Sequence, residues 1–230
     1  MGSNYKVTYG VDMVFCIDAT MSMEHILDTV KENALNFYQD FKRVMDQKNK
    51  PVAQLRVKII AFRDYLADGD QAMMMTPFFN LPNDAMAFRD AVNCIVPDGG
   101  GDDPEDGLEA VAFAIKKSDW SKEASKNRHV IVVWTDDAAH PLGFGKSSPY
   151  YPKGMAQNFD ELSAWWGSKY APGIMDEYAK RMIIFAPNYP GWQEIRNNWN
   201  KVVHYQSKEA GMGLRECDYD AILSTICNTI

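Results

Sequence analysis

Val11-Asp12-Met13-Val14-Phe15-Cys16-Ile17, running into Asp18-Ala19-Thr20-Met21-Ser22, decides the fold of this chain. An apolar run of that length, bounded by a polar turn, reads as a buried strand. A long amphipathic pattern begins at Met23, so the turn leads from strand to helix. Asp18, Thr20 and Ser22 therefore lie at the carboxyl end of a strand, where open α/β sheets place their ligand sites. A carboxylate with two alternating hydroxyls offers only hard oxygen atoms, a donor set that suits Mg²⁺ or Mn²⁺.

Working outward, Leu27, Val30, Ala34, Phe37, Phe41 and Val44 recur at steps of three and four, and predict one helix over 23–47. Further strands are expected at 55–62, 129–135, 181–186 and 201–205, with a short edge strand at 73–81 in which Met73-Met74-Met75 is filler. Helices fall between them: one capped by Asn83 or Asp84, one carrying Leu108, Val111, Ala112 and Ile115, one near 192–199 and one near 218–229. Strands and helices alternate nearly throughout. The expected fold is α/β, Rossmann-like and doubly wound, with a mainly parallel six-stranded sheet, one short antiparallel edge strand, and helices on both faces.

Residues 9–230 read as one domain, with an aromatic-rich excursion at 141–178, and 1–8 as an N-terminal extension in which Gly2-Ser3 resembles a cloning remnant. The net charge of −7 argues against nucleic acid or an anionic lipid surface as the main partner. No apolar run reaches the roughly 18 residues of a membrane span. Cys16, Cys94, Cys217 and Cys227 lack metal-ligand spacing and read as reduced thiols of a cytoplasmic protein.

Acidic residues gather in two more places. Asp98-Gly99-Gly100-Gly101-Asp102-Asp103-Pro104-Glu105-Asp106 precedes one helix, with Pro104 and Glu105 expected in its first turn, and Asp136-Asp137 follows the strongest strand. In the strand order 3-2-1-4-5-6, these stretches and the Asp18 turn meet at the switch point. Asp18, Thr20, Ser22, Asp102 and Asp136 would then surround one cation, with a coordination place left open. The competing reading gives Thr20 or Ser22 the task of capping the first helix, with Glu24 in its first turn. Capping is compatible with metal binding but leaves Asp18 without a purpose.

The three motifs in this order resemble the von Willebrand factor A domains with their metal-ion-dependent adhesion site. Gly99-Gly100-Gly101-Asp102-Asp103-Pro104-Glu105 and Ala61-Phe62-Arg63-Asp64-Tyr65 resemble a variety found in intracellular, stand-alone members. The resemblance implies that Thr20, Ser22 and a middle residue touch the metal while the carboxylates act partly through waters. Asp102 is the expected middle ligand, with Asp103 its competitor, and Asp137 stands where the family often has glycine. The resemblance further implies a binding module, not an enzyme, whose metal captures an Asp or Glu of a partner protein within a larger intracellular assembly.

Met21, Arg63, Asp64 and His140 are expected on the partner-facing rim. Within it, Arg63 and Asp64 are expected to form an ion pair, the alternative being contact with a ligand, and His140 to pack as a loop histidine, the alternative being a catalytic base or a ligand. Phe144, Tyr150, Tyr151, Phe159, Trp165, Trp166 and Tyr170 divide between a recognition surface and a helix core. Two alternatives stand beside this reading. One is a metal-dependent phosphohydrolase using Asp18, although Thr20 leaves no second acid two residues on. The other is a structural subunit whose metal site is vestigial.

Overall fold

A computed structural model describes residues 7–99, 104–208 and 214–230. In chain order the elements are β1 (Tyr9–Asp18), α1 (Glu24–Asn33), α2 (Phe37–Gln47), β2 (Val52–Phe62), β3 (Met73–Met75), β4 (Phe79–Leu81) and α3 (Ala85–Asn93). They continue with α4 (Gly107–Lys116), β5 (Lys126–Trp134), α5 (Phe159–Trp166), β6 (Lys180–Ala186), α6 (Trp192–Asn198), β7 (Val202–Gln206) and α7 (Tyr219–Thr229).

The sheet runs β3-β2-β1-β5-β6-β7, with β4 also paired to β2. The β2-β1-β5-β6-β7 block is parallel, and only β3 and β4 run antiparallel. Every residue of β1 is buried, as expected of a central strand covered on both faces. Alternate residues feed two cores. Phe15, Ile17, Val132, Trp134 and Phe185 pack under α1, α2, α3 and α7. Val14, Cys16, Val133 and Ile184 pack under α4, α5 and α6. From Gly107 to Ile115, α4 is buried on all sides, which is why its apolar residues are not confined to one stripe.

The expected single edge strand is two. Pro77 interrupts it, having no N–H to give the ladder. Thr76 bridges the gap: its backbone N donates to Ile59 O at 3.0 Å, and its Oγ1 accepts from Ile59 N at 3.0 Å. The sheet therefore has seven strands, not six. The expected helix over 23–47 is also divided, at 34–36. Thr29 Oγ1 donates to His25 O at 3.0 Å and Asn33 Nδ2 to Thr29 O at 2.8 Å, side-chain bonds that compete with the helical ladder. The i→i+3 bond from Asn36 N to Asn33 O marks the break. Finally, α4 begins at Gly107, so Pro104 and Glu105 lie ahead of it and not in its first turn.

Candidate metal centre

Because β1 and β5 are adjacent and parallel, with Ile17 opposite Trp134, the turns that follow them are forced together. Asp18 sits at the end of β1 with no exposed surface. Its Oδ1 accepts from Thr20 N at 2.9 Å and Thr20 Oγ1 at 2.6 Å, and its Oδ2 accepts from Thr135 Oγ1 at 2.7 Å. Thr20 Oγ1 and Ser22 Oγ stand 3.3 Å apart, and Ser22 Oγ donates to Asp136 Oδ1 at 2.8 Å. Asp18, Thr20, Ser22 and Asp136 thus form one unbroken chain of oxygen atoms bridging the two turns. Neither hydroxyl caps a helix, so the competing task foreseen for Thr20 and Ser22 is not the one they perform.

Asp102 and Asp103 lie outside the described residues. The flanks of their loop are tied to the same two turns. Asp98 N donates to Ala19 O at 3.0 Å after β1, while Glu105 N donates to Ala138 O at 3.3 Å and accepts through its carbonyl from His140 N at 2.8 Å after β5. Burial pushes the Asp18 carboxyl up to about 6, against the pull of the Thr20 and Thr135 hydrogen bonds, and the charge of Asp136 raises it further. A carboxylate removed from water is costly without a compensating cation. Among the described residues no His, Cys, Asp or Glu groups gather in threes as a metal cage, and this set has two carboxylates and two hydroxyls. All are hard oxygen donors, which fit a small divalent cation.

Residues 12–141 match a family model described as the von Willebrand factor A domain. The chain belongs to that family. No curated protein matches. Among solved structures, the pilus adhesin SpaC from Lactobacillus rhamnosus GG is similar over 96% of this chain and 30% of its own, at 11% identity and a TM-score of 0.48. Proximal thread matrix protein 1 of the mussel byssus covers 96% of this chain and 46% of its own, at 10% identity and a TM-score of 0.46. The vWF domain of the type V pili tip protein Mfa5 from Porphyromonas gingivalis covers 58% of this chain and 40% of its own, with 19% identity and a TM-score of 0.37. This A domain spans about a third of SpaC, and likenesses this distant carry no functional argument.

Behind the oxygen chain, the A domain buries a second group of acids that sequence reasoning missed. Glu105, Asp106 and Glu109 are each at most 2% exposed. Asp106 Oδ2 accepts from Tyr65 N at 2.7 Å, and Glu109 Oε1 accepts from Gly143 N and Tyr151 Oη, both at 2.8 Å. The other oxygens, Glu105 Oε2, Asp106 Oδ1 and Glu109 Oε2, have no hydrogen-bond partner among the described residues. Burial drives all three carboxyls up, Glu105 to about 10, Asp106 to about 6 and Glu109 to about 7, with neighbouring acids adding to each shift. The available signal was an acid at 109 inside the otherwise apolar run Leu108-Glu109-Ala110-Val111. Thr135 was likewise overlooked as a ligand-orienting residue, although it directly precedes Asp136.

At the rim, the expected Arg63–Asp64 ion pair does not form. Arg63 donates through Nε to Ala19 O at 3.1 Å, through Nη1 to Gln71 O at 3.3 Å and through Nη2 to Val96 O at 2.7 Å, so it staples three segments of backbone. Asp64 turns inward instead. It meets His140 Nε2 at 2.8 Å and accepts from Ala67 N at 2.9 Å and from Leu66 N. His140 is buried and stacks on Phe144 with ring centroids 3.8 Å apart, so it packs near the site as expected but does not line its surface. Met21 and Phe144 do face outward, at 55% and 48% exposure. Within the aromatic excursion, Tyr151 reaches the buried acids through Glu109, while Trp166 is buried against Trp199 with ring centroids 5.1 Å apart. From α6, the buried Trp192 donates its Nε1 to Asp137 O at 2.9 Å and fixes the turn after β5.

Proposed function

We propose that this A domain is a divalent-cation-dependent protein-binding module, with Mg²⁺ or Mn²⁺ held by Asp18, Thr20, Ser22 and Asp136 together with Asp102 from the Gly-rich loop. The observation that carries the reading is the continuous oxygen chain from Asp18 to Asp136, assembled from two turns 114 residues apart at its Ser22–Asp136 link. Oxygen-only, with Asp18, Thr20 and Asp136 buried and Ser22 exposed at its mouth, it is the donor set a hard cation needs.

When bound, the cation would supply an electrophilic coordination place for a carboxylate of a partner protein. Thr135 orients Asp18 by occupying its Oδ2, and exposed Met21 and Phe144 offer apolar contact beside the place of capture. The four unpaired cysteines fit a reducing compartment, and on that ground we place the module in an intracellular assembly.

Phosphohydrolase chemistry is the weaker reading. Position 20 is threonine, and its hydroxyl is spent on Asp18, so no second acid stands two residues on to act as acid/base. Isothermal titration with Mg²⁺ and Mn²⁺ decides the matter. Wild type should bind one ion and Asp18→Ala should not. A wild-type protein that takes up neither ion ends the proposal.

A further inference from the structure

The amino edge of the sheet carries charge opposite to that of the carboxyl edge. Arg181 lies opposite Val130 in the β5–β6 register, and Arg128 is two residues before Val130, so both arginines share one face. Lys201 directly precedes β7, whose Val202 pairs with Met182, which sets it beside Arg181. Lys126 opens β5, and Lys126 Nζ and Arg128 Cζ both sit over the ring of Tyr9, at 5.6 and 5.3 Å. These four cations line one groove of about 460 Å³.

The capping of α7 explains part of this arrangement. Arg128 Nε donates to Ile230 O and Arg181 Nε to Thr229 O, both at 3.1 Å, which suits the negative end of a helix. It does not explain the rest. Among the described residues no hydrogen bond uses Nη2 of either arginine, and none of the four cations forms an ion pair. The one acid lining the groove, Asp176, has Oδ1 turned to Tyr178 N and Ala179 N, at 2.8 and 3.0 Å. Neighbouring Glu177 is held by Lys180 Nζ at 2.7 Å. Arg181 is lowered chiefly by burial and then by the adjacent Arg128, against the pull of Glu177.

We propose that this groove is a second binding site, which takes a short acidic segment of a partner protein. With strands about 4.8 Å apart and Arg128 set two residues back from the position opposite Arg181, the Arg128–Arg181–Lys201 row is roughly 12 Å end to end, the reach of about three to four residues of extended chain. Each guanidinium keeps its Nη2 to donate a charge-assisted hydrogen bond to a carboxylate. A nucleic acid fits less well, because its charge extends beyond so short a row into the field of a chain of net charge −7. The exposed Tyr178 at the groove edge adds an apolar contact for the segment.

The test uses fluorescence anisotropy with labelled hexaglutamate, hexaglutamine and a single-stranded hexathymidylate, all in EDTA so that capture through a divalent cation plays no part. Hexaglutamate should bind at about 50 mM salt, weaken as salt rises, and lose about tenfold in affinity in the Lys126→Glu/Lys201→Glu variant. Both positions are exposed, so this variant should keep its circular dichroism spectrum. Hexaglutamine should not bind. The site is refuted if hexaglutamate fails to bind, if the double variant binds it equally well, or if hexathymidylate binds more tightly than hexaglutamate.

Discussion

Glu109 is a carboxyl placed where ionisation is penalised, and the consequence has a definite sign. Its folded value is raised from 4.5 to about 7 by burial and then by Asp106, with the bonds from Gly143 N and Tyr151 Oη opposing. Below 4.5 both states hold the proton. As pH climbs, the unfolded chain releases it first, so the folded state loses stability until Glu109 ionises as well, near pH 7. The loss is on the order of 3 kcal/mol. Glu109→Gln keeps an oxygen for Gly143 N and Tyr151 Oη but removes the titration. In EDTA, its urea midpoint relative to wild type should therefore rise between pH 5 and pH 8, on the basis of linkage; a parallel offset at both values contradicts the assignment. A second prediction concerns Thr135, which touches Asp18 but not the proposed cation. Thr135→Val should weaken Mn²⁺ binding about tenfold in calorimetry while Asp18→Asn abolishes it. Asp18, Thr20, Ser22 and Asp136 were legible because acids and hydroxyls ending apolar strands are local signals. The inward turn of Asp64, the staple made by Arg63 and the burial of Glu105, Asp106 and Glu109 were not legible, because they depend on partners far along the chain, up to 76 residues away in the Asp64–His140 contact.

Among the elements, α5 and its following loop are secured by a single cation. Lys180 is fully buried at the start of β6, and its Nζ donates to Trp166 O at 3.0 Å and Gly167 O at 2.7 Å besides meeting Glu177. Lys180→Met strands two carbonyls and a carboxylate, and should cost about 3 kcal/mol or more in denaturant unfolding. At the start of α4, a Cβ on Gly107 would meet Trp192 Cη2 and Cζ2 at 2.7 Å, which explains glycine where a helix would otherwise favour alanine. Gly107→Ala should displace Trp192, lower the melting temperature by several degrees and disturb the turn that Trp192 holds. Strand order was readable because apolar runs separated by helical patterns leave few topologies open. The division of α1 from α2 was hidden for the opposite reason. Apolar periodicity continues through Ala34 and Phe37, while the break comes from side chains of Thr29 and Asn33 bonding backward to carbonyls, which periodicity does not register. Pro77 was visible in the sequence, yet its effect of dividing one edge strand into two depended on Thr76 lending its hydroxyl to β2.

Over the whole molecule, two cores share one sheet, and β1 contributes alternate residues to both. Neither core stands without the strands of the other, so unfolding should be a single cooperative transition monitored equally by circular dichroism and fluorescence. A cation that binds only the folded state raises this transition by mass action: Mn²⁺ at a hundred times its dissociation constant should add about 2.7 kcal/mol, and nothing in Asp18→Asn. The hydrogen bond from Trp192 to Asp137 O has one more implication. A sequestered indole is wired to the loop where the ion would arrive, giving the protein a native optical sensor. Emission should change colour or brightness upon titration in wild type and stay constant once Trp192 becomes phenylalanine, so occupancy is readable with no label attached.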